Sequence, residues 1–302
     1  MKLRWVYGLK LAVGTLLAVG LVRTLLVGSY RIPSSGMENS LYKGEGVLVD
    51  KWRYGLRLPL LSWTGYHRLF PREVRKGDVV LFNNPGTSET GVRIENRKVF
   101  ISRCIGVAGD TLLLNRDWRS VDNSRISPDC KALYAYPSAL EEVVTALMEA
   151  VGIEGNTLVD YMPDGRYIRR FSHYEFYLLT QKADGRVPFV ALDQQSPEVH
   201  PIVVPRRGVP VKVYPWNAIL LCNTIVHHEH RKAWLQGDTL VVDGRKVSEY
   251  RFGKNYYWMA SNDPLDLCDS RLFGFVPEDH LIGKAWRLWW TTRPGRWFRR
   301  VE

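Results

Sequence analysis

The feature that most constrains this chain is its start. Leu11–Val22 carries no charge, and Thr24–Gly28 continues the apolar character after the single Arg23. Together they make about 18 residues, a helix of about 27 Å, near the thickness of a bilayer's hydrocarbon, with Arg23 able to snorkel. Lys2, Arg4 and Lys10 precede the run, so the positive-inside tendency puts residues 1–10 in the cytoplasm and everything after the span 11–28 on the exported side. A cleaved signal peptide is the competing reading. It lacks a small-x-small site, because Gly28-Ser29-Tyr30-Arg31 follows the run.

The rest reads as mainly β. Short runs rich in β-branched and aromatic residues recur between Gly, Asp, Asn and Pro, at 46–50, 78–82, 99–107, 111–114, 176–180, 239–242 and 256–260. One helix is expected after Ser138, which with Glu141 makes a capping box ahead of the stripe Leu140, Val143, Val144 and Leu147. The tail 287–300 mixes five Arg with four aromatic residues, which suits either a membrane surface or a final strand with a basic end.

Composition excludes more than it selects. The formal charge of +11 permits contact with anionic lipid or nucleic acid, but the basic residues are spread from Arg31 to Arg300 without a recognition helix or an RNA-reading motif, so no nucleic-acid partner is expected. Cys104, Cys130, Cys222 and Cys268 show no metal-like spacing, and their sequence leaves disulfides and buried thiols equally open. His227-His228-Glu229-His230 has no further ligand set and reads as a solvated loop or a helix end, so neither metal nor cofactor is expected. No G-x-S-x-G elbow, H-E-x-x-H helix or phosphate loop is present.

A series of motifs then narrows the field. Ile32-Pro33-Ser34-Ser35-Gly36-Met37-Glu38-Asn39-Ser40-Leu41 directly follows the apolar run. Lys51–Leu56 reads K-W-R-Y-G-L, Lys76–Phe82 reads K-G-D-V-V-L-F, Ile101–Asp110 reads I-S-R-C-I-G-V-A-G-D, and Asp269–Ala285 reads D-S-R-L-F-G-F-V-P-E-D-H-L-I-G-K-A. In this order they resemble the type I signal peptidases, a family of membrane-anchored serine proteases, with 111–236 as an enlarged insertion. The resemblance implies an antiparallel β catalytic core, 29–110 and 237–302, an inserted β-rich second domain containing a short helix, and one amino-terminal transmembrane helix. It implies signal-peptide-bearing preproteins and the lipid bilayer as partners, and a place in the bacterial inner membrane with the body on the periplasmic side.

The family's chemistry is a Ser nucleophile and a buried, neutral Lys base, since an apolar setting lowers a lysine's pKa enough for it to take a proton. Matching Met37 to the family's Met puts Gly36 at the nucleophile position, with Ser35 where the family has Gly. Matching Arg103 and Gly106 puts Ser102 at the base position, and Leu267 replaces the Ser that supports the base. Ser34 matches a hydroxyl of the oxyanion hole, and Asp269 with Arg271 matches an ion pair beside the site. Three readings stand at this point. The chain has lost proteolysis and binds extended peptides at the old cleft, with an active signal peptidase paralogue as a further partner; or it is a working peptidase using Ser35 or Ser34 with another base; or it is a non-catalytic envelope interaction module.

Overall fold

The computed structural model describes residues 2–58, 65–89, 91–120, 127–192, 198–266 and 268–301. Helix α1, Lys2–Leu25, leads into strand β1, Val27–Arg31. A seven-stranded sheet follows from β1 with β2 (Gly46–Asp50), β3 (Val79–Asn83), β4 (Val99–Gly106), β5 (Tyr256–Ala260), β6 (Val276–Pro277) and β7 (Leu281–Trp290). The spatial order is β1-β2-β7-β3-β4-β5-β6, with antiparallel pairs throughout. Both ends of the chain therefore build one sheet.

Strand alternation sorts its side chains onto two cores. Val79 and Leu81 join Ile32, Met37, Leu41 and Ile101 on one face, while Val80 and Phe82 join Tyr54, Cys104 and Met259 on the other. Burial on both faces explains why β3 is an unbroken run of buried residues.

Between β4 and β5 the chain makes a second sheet, of strands 190–191, 131–137, 166–172 and 160–161 in that order. Helices α2 (Glu141–Ala150) and α3 (His173–Ala183) cover it, with Val144, Leu147 and Leu179 joining Phe171 of the sheet in one core. A third helix, α4 (Ala218–His228), packs Leu221 and Ile225 against Trp258 and Phe275 of the main sheet's core. Among the described residues, 111–236 thus holds three helices of ten or eleven residues where one was expected.

Two local expectations are corrected. Residues 176–180 lie in α3 and are not a strand, because Ser172 accepts from the Glu175 N–H while the Glu175 carboxylate accepts from the Ser172 N–H. At α2 the box on Ser138 does not form: the Glu141 carboxylate is turned onto Arg169 and Tyr136. The histidine run is a helix end, with His227 and His228 closing α4. All four cysteines are free thiols.

The apolar start is helical, and Leu11, Leu16, Leu17 and Leu21 stand exposed on it. Among the described residues, however, no helix is long and apolar enough to cross a membrane. The uncharged stretch between Lys10 and Arg23 covers only about 18 Å of helix, against about 30 Å of hydrocarbon. Lys51 closes the end of α1 by donating to the carbonyls of Arg23 (2.9 Å) and Thr24 (3.2 Å).

Candidate functional site

Past β1 the chain turns through residues 32–41, pinned by the buried side chains of Ile32, Met37 and Leu41. That turn lies against the loop 261–266, with the Asp263 N–H donating to the Gly36 carbonyl at 2.9 Å. The two segments are some 230 residues apart in sequence and are joined by Arg103 of β4, which donates to Ser40 of one and Asn262 of the other.

Gly36 is buried, and a side chain there would run into Asp266. A Cβ there would lie 2.7 Å from both Cγ and Oδ2 of Asp266. The Asp266 carboxylate is itself held, because its Oδ1 accepts from the Cys268 N–H at 3.1 Å. On β4, Ser102 is fully buried opposite Val80, and its hydroxyl donates to the Cys268 carbonyl at 3.2 Å. The positions 36 and 102 are therefore brought to one segment, 266–268, and both are answered by it. Leu267, between them, lies outside the described residues. Burial and the Asp266 carboxylate together raise the Cys268 thiol to about 11, so it stays protonated near neutrality and is a poor nucleophile.

Ser34 is half-buried and its hydroxyl accepts from the Gly36 N–H at 3.3 Å. Ser35 is half-buried too, and its carbonyl accepts from the Glu38 N–H at 2.9 Å.

Around this cluster runs a charged frame. Asp269 has no exposed surface; it receives two hydrogen bonds from Arg271 Nε, at 2.9 and 3.0 Å, one from Nη2 at 2.6 Å, and one from the Ser261 N–H at 2.7 Å. Arg271 in turn donates to the carbonyls of Asp263 (3.2 Å), Pro264 and Asp266 (2.8 Å), fixing the loop that carries Asp266. Beside it the buried Arg103 reaches Ser40 (2.8 Å), Asn262 (3.3 Å) and the Gly77 carbonyl (2.9 Å). Burial depresses its pKa, yet a guanidinium remains charged.

The segment 127–172 braces the same loops. Arg170 pairs with the buried Asp263 at 2.8 Å, Lys131 with Glu38 at 2.7 Å, and Asp129 accepts from Ser40 at 2.6 Å. Sequence reasoning missed Asp266, Asn262 and these braces. Motif matching had no means of finding them, since each acts across more than 80 residues of chain.

The profile of the family "Signal peptidase, peptidase S26" matches residues 4–168, more than half of the 302. The chain belongs to this family. Among similar proteins, a signal peptidase I of Buchnera aphidicola subsp. Schizaphis graminum is 22% identical over 290 residues, covering 91% of this chain and 72% of that protein. One of Helicobacter pylori (strain J99) is 29% identical over 282 residues, 92% of this chain and 80% of the relative. One of Pseudomonas aeruginosa is 31% identical over 138 residues, 45% of this chain and 44% of the relative. Membership accounts for the mainly β architecture. In this member of the signal peptidase family, Gly36 and Ser102 both meet the loop that carries Asp266 and Cys268, inside the charged frame of Asp269, Arg271 and Arg103.

Proposed function

We propose that the chain is a signal peptidase family protein of the export pathway that no longer cleaves peptide bonds and still binds signal-peptide-bearing preproteins. The observation that carries this reading is the Asp266 carboxylate lying where any side chain at position 36 would begin. It is supported by Ser102, whose hydroxyl is engaged with a backbone carbonyl and is too weak a base near neutrality. Ser34 and Ser35 are the remaining hydroxyls, and neither faces a general base in a described hydrogen bond.

In this reading Asp269 and Arg271 keep the site's frame, and 29–110 with 237–302 form the core on which 111–236 is inserted. The exposed apolar side of α1 and the exposed Trp286, Trp289, Trp290, Trp297 and Phe298 hold the protein at the bacterial inner membrane, with the body on the exported side.

The test is to mix the purified full-length chain in detergent with a labelled preprotein and follow both cleavage and binding. Binding without cleavage is the expected result. Cleavage that disappears in Ser35→Ala would sink the reading and assign the nucleophile to Ser35.

A further inference from the structure

A cavity of about 610 Å³ lies on the far side of the segment 268–274, between that segment, β4 and α4. Its size falls within the roughly 300 to 1,000 Å³ of small-ligand sites. Its walls are aromatic, from Phe100, Trp118, Trp258 and Phe273, and Ile219 and Leu272 stand exposed on its lining.

One buried side chain in the wall keeps its polar atoms free of the fold's hydrogen bonds. His228 is 6% exposed, lines the cavity, and makes no side-chain hydrogen bond among the described residues. It meets His280 edge to face at 5.6 Å, and His280 is itself bonded to Asp279 at 2.9 Å. Burial first, and then the neighbouring His280, push His228 down to about 3, so its ring is neutral with one N–H donor and one bare acceptor.

Three other polar groups of the wall are already committed. Arg271 is spent on Asp269, Glu89 accepts from Asn84 and the Lys98 N–H, and the Thr224 hydroxyl donates to Leu220. An amide with an apolar side chain asks for one donor, one acceptor and aromatic walls. Trp118 also sits at φ 59°, a left-handed conformation rare for so bulky a residue, with its ring 6.1 Å from that of Trp258.

We propose that this cavity binds a short uncharged stretch of peptide, its apolar side chain among the aromatic walls and one backbone amide hydrogen-bonded by His228. The identity of the ligand rests on the peptide-binding reading above; the cavity and the unpaired His228 do not. Phe100 lies two residues from Ser102 on β4 and, with Phe273 stacked 6.0 Å away, forms the wall between the cavity and the old dyad.

The experiment titrates the full-length chain in detergent with N-acetyl-leucinamide and, separately, with a synthetic signal peptide, reading the His228 ring protons by NMR. The amide is expected to move the His228 signal, to bind about tenfold more weakly to His228→Phe, and not to bind Asn223→Trp. Asn223 is exposed on the α4 face of the cavity, so that variant fills the space without disturbing the core. An unmoved His228 signal, equal binding to Asn223→Trp, or occupation by N-acetylglucosamine in place of the amide would overturn the proposal. If the amide binds and the signal peptide binds nowhere, the cavity assignment stands and the preprotein reading fails. If the signal peptide binds the native chain and Asn223→Trp alike and the amide does not bind, the reverse holds.

Discussion

The segment 266–274 separates two polar regions that differ in one respect. On one side, Gly36 and Ser102 meet Asp266 and Cys268, and each polar group named there is answered by another part of the protein. On the other, His228 sits buried at the wall of an open cavity with no hydrogen bond of its own among the described residues. Closure comes from the chain itself, through a short acid pressed against a glycine. The open side keeps what a binding site needs, which is space and an unsatisfied group.

The divider between them is the first thing to break. Asp269→Ala leaves the buried Arg271 without its carboxylate, and removing one partner of a buried pair costs about 3–5 kcal/mol. Chemical denaturation should register a loss of that order, and a change below about 1 kcal/mol would mean that Arg271 is held by the backbone carbonyls alone.

Acid should strain the open side next. His228 ionises near 6.5 when unfolded and near 3 when folded, so its contribution is present above pH 6.5 and is lost as pH falls toward 3. The slope is up to about 1.4 kcal/mol per pH unit. His228→Phe should flatten the stability curve between pH 6 and pH 4, and an unchanged curve would show that the ring is open to water.

The closed side makes a smaller demand. Gly36→Ala should destabilise the protein by about 1–3 kcal/mol through overpacking. Most of that cost should vanish in an Asp266→Gly background, since the coupling between contacting residues is what a double-mutant cycle isolates. Additive costs would mean that Asp266 swings away freely. Smallest of all, Ser102→Ala removes the bond to Cys268 and should cost about 1 kcal/mol.

What was legible in the sequence divides along the same physical line. Strands 46–50, 239–242 and 256–260 follow from short β-favouring runs with turn residues at their ends, and they form where expected. Residues 176–180 have a composition that suits a strand, but the cap at Ser172 lies upstream of that window and starts a helix. Glu141 fits a capping box by spacing, yet Arg169, twenty-eight residues on, claims its carboxylate. Flanking motifs were enough to single out positions 36 and 102, which the fold brings to one loop. Asp266 was not, because nothing local marks which acid will reach a glycine 230 residues earlier.

The proposed loss of chemistry, with the dyad positions both replaced and closed, can be decided by a single assay. Preprotein cleavage is compared between Gly36→Ser/Ser102→Lys/Leu267→Ser and the same triple variant carrying Asp266→Gly. Cleavage is expected only when Asp266 is removed as well, with none by the native chain. Cleavage by the triple variant with Asp266 in place would contradict the closure, and cleavage by the native chain would contradict the loss of chemistry itself.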